Sequence, residues 1–240
     1  MTHITVWFTN FYNDFVESLV DNFIMENRWK MILNGLLTTL EITFFAILIG
    51  FVLGFVIAII RSTSDRTGKM KFLNGVCKVY LTVFRGTPVT VQLMIIYFVI
   101  FASLDNKVLA AVIAFGLNSA AYVAEIVRSG IMSIDNGQFE AGSSLGFSYS
   151  QTMISIIIPQ AFKNVLPALA NEFIVLLKET SVAGYIAIND LTKGGDTIRS
   201  QTYEPLLPLL AVAAIYLVLV MVLSHFVTKL ERRLSKNDRR

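Results

Sequence analysis

A handful of polar side chains stand inside stretches that are otherwise apolar, and their spacing groups them. Asn118 is followed by Tyr122 at i+4 and Glu125 at i+7, and Glu172 is followed by Glu179 at i+7. On an α-helix, residues at such spacings lie one above another on a single face. Gln92 stands in a third apolar stretch. Together these residues offer amides, a phenol and carboxylates, the groups that would hold a small zwitterion. Amide and hydroxyl groups suit its ammonium and carboxylate, and carboxylates suit a cationic tail. The candidate ligand contacts are therefore Gln92, Asn118, Tyr122, Glu172 and Glu179.

Each has a structural use as well. Glu125 and Arg128 stand at i,i+3 and can pair. Lys178 and Glu179 can form a charge pair that snorkels to a surface, and Asn118 and Gln92 can join helices by hydrogen bonds. Asn118 and Glu172 fall nearest the middle of their apolar stretches. A charge there costs about 2.5–3.5 kcal/mol on insertion scales and so needs a partner or a task.

Catalysis finds no support in the residue pattern. His3 and His225 are far apart, and no metal-ligand cluster or nucleophile motif is present in the sequence. The nearest approach to a phosphate-cradling loop fails, because Gly68-Lys69 is followed by Met70 where a Ser or Thr is needed. The chain is not expected to be an enzyme, to hold a cofactor or metal of its own, or to bind nucleic acid.

The elements that position these groups are membrane helices. The chain has 240 residues, is 55% hydrophobic and has a mean hydropathy of +0.64, too apolar for an ordinary soluble domain. Apolar runs approaching the ~20 residues that cross a bilayer recur along it. Ile32–Ile60 carries one charge, Glu41, and reads as a first span. Val79–Phe84 is an interfacial lead-in to a second, Thr87–Leu104, and Val108–Val127 is a third. A short run, Val165–Leu177, is interrupted by Lys178–Ser181 before apolar residues resume. Either it is a broken helix, the usual mark of a transporter's binding site, or its helix starts earlier, near Gln160, and ends at Lys178. Leu206–Phe226 is the last span.

Five spans place the termini on opposite sides. Segments 61–85, 128–163 and 229–240 together hold 14 of the 20 Lys and Arg residues. The positive-inside bias puts them in the cytoplasm, giving an outside N-terminus and an inside C-terminus. Residues 1–28 lack the features of a cleavable leader and read as an extracytoplasmic or interfacial segment. Residues 29–233 form the transmembrane domain, and 234–240 a basic tail. The lone Cys77 leaves the redox compartment open.

One polar segment, 140–159, reads EAGSSLGFSYSQTMISIIIP. It follows the spacing E-A-A-x-x-x-G, nine residues, then I-x-L-P, with Gly142 in place of the second Ala and Ile158 in place of the Leu. A short helix from about Gln138, with Glu140 in its first turn complementing the helix dipole and Gly146 stopping it in a left-handed turn, would make a compact docking element. This segment resembles the cytoplasmic signature loop of permease subunits from binding-protein-dependent ABC importers. Phe84-Arg85-Gly86-Thr87-Pro88 with Val91-Gln92-Leu93, the run Asn118–Arg128, and Leu166–Leu169 with Asn171–Phe173 and Leu177–Ser181 resemble the polar amino-acid group of that family.

The resemblance implies an all-α membrane protein of type I ABC importer permease (MetI-like) architecture in a bacterial inner membrane. In that family the loop at about 131–159 docks as a coupling helix into a groove of the ATPase. Carried over, the ATPase contacts are Glu140, Ala141, Gly142 and Gly146. The implied partners are two ABC ATPase subunits binding ATP and Mg²⁺, a second identical or different permease subunit, an extracytoplasmic solute-binding protein, and a polar amino acid. Transport would proceed by alternating access. The rival reading is a self-sufficient secondary transporter or channel, which would need its own ion site and usually more spans or an internal repeat.

Overall fold

A computed structural model describes residues 3–103 and 105–237. All of the regular structure it describes is helical. Four helices are long and apolar enough to cross a membrane: Trp29–Thr67, Lys107–Met132, Tyr149–Ile186 and Leu206–Leu234. A fifth span results if the pair Lys71–Gly86 and Val89–Ile100, bent by 110°, is counted as one.

In chain order, α1 is His3–Leu19, followed by a wide turn, Val20–Ile24, and a tight one, Met25–Asn27. The first span is α2, Trp29–Thr67. It ends in a left-handed Gly68, whose N–H donates to Ser64 O at 2.9 Å, the usual glycine stop. Next come α3, Lys71–Gly86, and α4, Val89–Ile95, which runs on as a wide turn, Ile96–Ile100. The third span is α5, Lys107–Met132, with Asn106 capping its start by accepting from Leu109 N at 3.0 Å.

Helix α5 is the central post. Fifteen of its residues are buried, among them Phe115, Ala120, Ala121 and Val123. It packs chiefly on α2 through small residues; a Cβ at Gly54 would come within 2.6 Å of Val123 Cγ1. With no hydrophobic drive between helices in lipid, close backbone approach of this kind is what holds spans together.

Beyond α5 lie α6, Asn136–Ser144, and α7, Tyr149–Thr152. A wide turn, Met153–Ile157, joins α7 to α8, Ile158–Glu179, and a tight 3₁₀ segment, Thr180–Ile186, follows. Last come α9, Leu191–Thr202, and α10, Leu206–Asn237. The bundle therefore has one end at α6 and the C-terminal half of α10, and an opposite end at α9.

Three sequence expectations change here. The second span does not begin at Thr87 behind a six-residue lead-in. A full helix, α3, precedes it, and the chain turns at Gly86-Thr87-Pro88 because Pro88 lacks the N–H that would continue α3; the expected end at Leu104 lies outside the described residues. The short fourth run takes the second of its two readings and goes further. Its helical path starts at Tyr149, far before Val165, and keeps Pro167 within α8. The segment after Ile186, where the sequence shows no apolar span, holds a helix, α9, that buries Leu191, Gly194, Gly195 and Ile198. A Cβ at Gly35 of α2 would come within 2.5 Å of Asp190 O, so the start of α9 rests directly on the backbone of the first span.

Candidate functional site

The predicted ligand residues fall into three separate settings. The first is the α3–α4 bend. Gln92 Nε2 stands 2.8 Å from Phe84 O, 2.9 Å from Thr87 O and 2.8 Å from Thr87 Oγ1, and so satisfies carbonyls that the end of α3 leaves open. Asn118 Nδ2 donates to Gln92 Oε1 at 2.9 Å. These two buried amides thus fix the bend and tie it to α5, which is the helix-joining use of the pair. Asn118 Oδ1 is buried without a partner.

The second setting is a cleft of about 480 Å³ between α5 and α8. It is lined by Arg85, Tyr122, Glu125, Ser129, Asn164 and Ala168, among others. The guanidinium of Arg85 lies over the Tyr122 ring, 5.7 Å from its centroid. Glu125 accepts from Arg61 at 2.7 Å and Arg128 at 2.9 Å, with Arg85 3.6 Å away. Its carboxylate is engaged in ion pairs at the α6 end of the bundle.

The third is the α5–α8 contact one turn beyond the cleft. Ser119 Oγ donates to Glu172 Oε1 at 2.8 Å. Ser119 precedes Tyr122 by three residues and Glu172 follows Ala168 by four, so helical spacing sets this pair one turn past the residues that line the cleft, buried between the two helices. Glu172 is 7% exposed and has no basic partner among the described ion pairs. Glu179, two turns on, is half-buried and lies within electrostatic range of Glu172. Ser119 and Arg85 escaped notice because each was read only as a letter of a longer motif; nothing in the linear spacing joins Ser119 to Glu172 across 53 residues.

The 140–159 segment forms a docking element with different boundaries from those expected. Helix α6 starts at Asn136, and the acid at its N-terminus is Asp135, whose carboxylate accepts from Gly137 N at 2.6 Å. Glu140 consequently sits in the second turn, exposed, away from the helix end it was expected to complement. Gly146 has φ +77°. Phe147 N donates to Gly142 O at 3.0 Å and Gly146 N to Ser143 O at 3.0 Å, the paired bonds of a Schellman stop. Ala141 and Gly146 are exposed, whereas Gly142 is buried. Ser148 and Gln151 then make a reciprocal capping box that starts α7.

A family model described as the binding-protein-dependent transport system inner membrane component matches residues 50–236. The chain belongs to this family. As an inner membrane component of binding-protein-dependent transport it is a transport subunit, and the membership disfavours a self-sufficient secondary transporter. The chain is 41% identical over 210 residues to the arginine transport system permease protein ArtQ of Bacillus subtilis strain 168, covering 86% of this chain and 94% of ArtQ. It is 37% identical over 209 residues to the putative glutamine transport system permease protein GlnP of Rickettsia typhi, covering 86% of this chain and 94% of GlnP. A crystal structure of an amino acid ABC transporter with histidines superposes with a TM-score of 0.79 at 42% identity, over 87% of this chain and 96% of that one. The family read from the loop motif and the helical ABC permease fold both stand.

Proposed function

We propose that the chain is the translocation subunit of an ABC importer for a polar amino acid with a cationic side chain. The observation that carries this reading is Glu172, a buried carboxylate one turn beyond a cleft, with a hydroxyl partner and no basic partner among the described ion pairs. A carboxylate so placed gains most from a cation that arrives with the substrate, because breaking a buried charge pair by losing one partner costs about 3–5 kcal/mol. Glu179 adds a second negative group on the same helix, and Tyr122 a ring face on which a cationic tail can rest. Arg85 is the group for the α-carboxylate. Gln92 and Asn118 serve the substrate indirectly, by holding the bend from which Arg85 projects. The similarity to the arginine permease ArtQ supports the same class.

The α6 end faces the cytoplasm in this reading, in line with the distribution of Lys and Arg, and the α9 end faces outward to a solute-binding protein. Two ATPase subunits bind ATP and Mg²⁺ and seat on the α6 loops of two permease subunits, whose cavities they switch between inward and outward access. Glu140, Ala141 and Gly146 are the exposed contacts, and Gly142 shapes the loop from beneath.

Proteoliposomes holding the permease, its ATPase and its binding protein give the test, with radiolabelled arginine and glutamine as probes. Arginine uptake should require ATP, and Glu172→Gln should lower it about 100-fold, as loss of some 3 kcal/mol implies, while glutamine uptake stays within a few-fold. Equal loss for both probes, or no loss for either, would remove Glu172 from the substrate path.

A further inference from the structure

We propose that the end of α2 carries motion of the α6 loop to the cleft, with Arg66 and Asp65 as the positioning residues. This rests on the reading that α6 seats the ATPase. Helix α6 has little of its own to hold it: among its residues only Gly142 is buried. It packs on α7 through Gly142 and Thr152, and its tie to α2 is Arg66. The guanidinium carbon lies 3.7 Å from the Phe139 ring centroid, and Nη1 donates to Asn136 Oδ1 at 3.2 Å. A planar cation stacked on one α6 side chain and hydrogen-bonded to another, one turn earlier, fixes orientation as well as distance. Phe139 is in turn stacked on Tyr149 of α7, with centroids 6.3 Å apart.

The same turn of α2 is tied to the cleft. Arg128 Nη1 donates to Asp65 Oδ2 at 3.3 Å, and Arg128 Nη2 donates to Glu125 Oε1 at 2.9 Å. The other oxygen of Glu125 has two suitors. Arg61 of α2 holds Oε2 at 2.7 Å, while Arg85 of α3 stands 3.6 Å from that oxygen. Helices α2 and α3 therefore compete for one carboxylate oxygen. If α2 is drawn away with α6, Arg61 leaves and Arg85 can close on Glu125, coming off the Tyr122 ring in the cleft. A contact with two discrete partners is the bistable element that a transmitted movement needs. The alternative role is static glue, in which these residues only keep α2 and α6 together.

The test uses the complete permease–ATPase complex in lipid nanodiscs. A cysteine replaces Ser129, an exposed residue of the cleft lining, in a Cys77→Ser background. Its labelling rate is measured without nucleotide and with ATP plus vanadate, beside ATPase rate, copurification of the ATPase and thermal midpoint. Trapping should change the rate about tenfold in the parent, a typical coupling between sites. In Arg66→Ala and Asp65→Asn the ATPase should still copurify and hydrolyse ATP while the labelling change falls below about twofold; Arg66→Lys, which keeps the charge but loses the planar fork, should fall between. Arg199→Ala, a charge loss at the α9 end, should leave the response intact. A full response in Arg66→Ala and Asp65→Asn overturns the inference, as does loss of ATPase copurification or a lowered thermal midpoint in Arg66→Ala, since either makes it a structural support. A parent complex that fails to retain the ATPase overturns instead the reading of α6 on which the inference stands.

Discussion

Gly142 and Thr152 touch across the α6–α7 turn so closely that a Cβ at position 142 would come within 2.6 Å of the threonine Oγ1 and 2.7 Å of its Cγ2. The glycine that departs from the E-A-A pattern is thus matched by the side chain facing it. Thr152 is 2% exposed, and as a β-branched residue it has few rotamers to retreat to.

Gly142→Ala should therefore destabilise the loop by about 1–3 kcal/mol, the usual cost of overpacking, and lower ATPase copurification. Thr152→Ala in the same chain should restore most of both, because it removes the two clashing atoms. It also removes a hydroxyl that has no hydrogen-bond partner in the structure, so little polar bonding is lost. Thermal melting in detergent with and without the second change checks this; absence of rescue would place the damage elsewhere than at this contact.

Gly146 sits at φ +77°, open to solvent on the side where a Cβ would project. Strain is then the only penalty for a side chain, about 1–2 kcal/mol for a left-handed non-glycine residue. Gly146→Val should lower uptake while the subunit remains at normal abundance in the membrane. Gly146→Asn, which tolerates that region better, should be milder. The order of the two in paired uptake and immunoblot measurements is the readout, and equal activity in both would show the turn to be dispensable.

Sidedness can be read with an impermeant thiol reagent on whole cells, in a Cys77→Ser background. Cysteine at Ser200, exposed on α9, should label from outside, and cysteine at Ser144, exposed on α6, only after the membrane is opened. Labelling of Ser144→Cys in intact cells would end the docking role of α6.

Gln92 offers a test that needs no substrate. Gln92→Ala strands the Thr87 carbonyl and leaves Phe84 O and the Asn118 amide only their long 3.4 Å bond to each other, and each buried unsatisfied group costs about 1–3 kcal/mol. Gln92→Glu should fare little better, since an ionised carboxylate has no N–H to give. Both should lower the melting temperature of ligand-free protein. A side chain kept for ligand contact alone would leave that temperature unchanged.

The sequence made some of this legible and hid the rest for physical reasons. The long spans were visible because their apolar runs are continuous, and the stop at Gly146 because a glycine after a polar helix has few other uses. Helix α9 was hidden: LTKGGDTIRSQT is polar and carries two glycines, and it holds its shape through the Asp190 cap and its seat on α2. The α3–α4 bend was half-visible, as Gly86-Thr87-Pro88 marks a break but not whether helix lies on both sides. Gln92 and Asn118 were seen as membrane-depth polar residues. Their choice of each other, 26 residues apart, belongs to the packing of α4 on α5.

The seat of α9 on α2 gives the molecule two unlike ends. At the α9 end backbone comes close to backbone, with Gly35 facing Asp190 O and Gly194 facing Met31 O, and the short, buried Thr39 side chain accepts from Leu191 N at 3.1 Å. Joints made at glycines and one short buried side chain leave little to swing, so α2 and α9 travel as one piece. At the α6 end the joints are long cationic side chains that can exchange partners without unpacking a core. A rocking motion would therefore pivot on the rigid block and spread at the end tied by arginines.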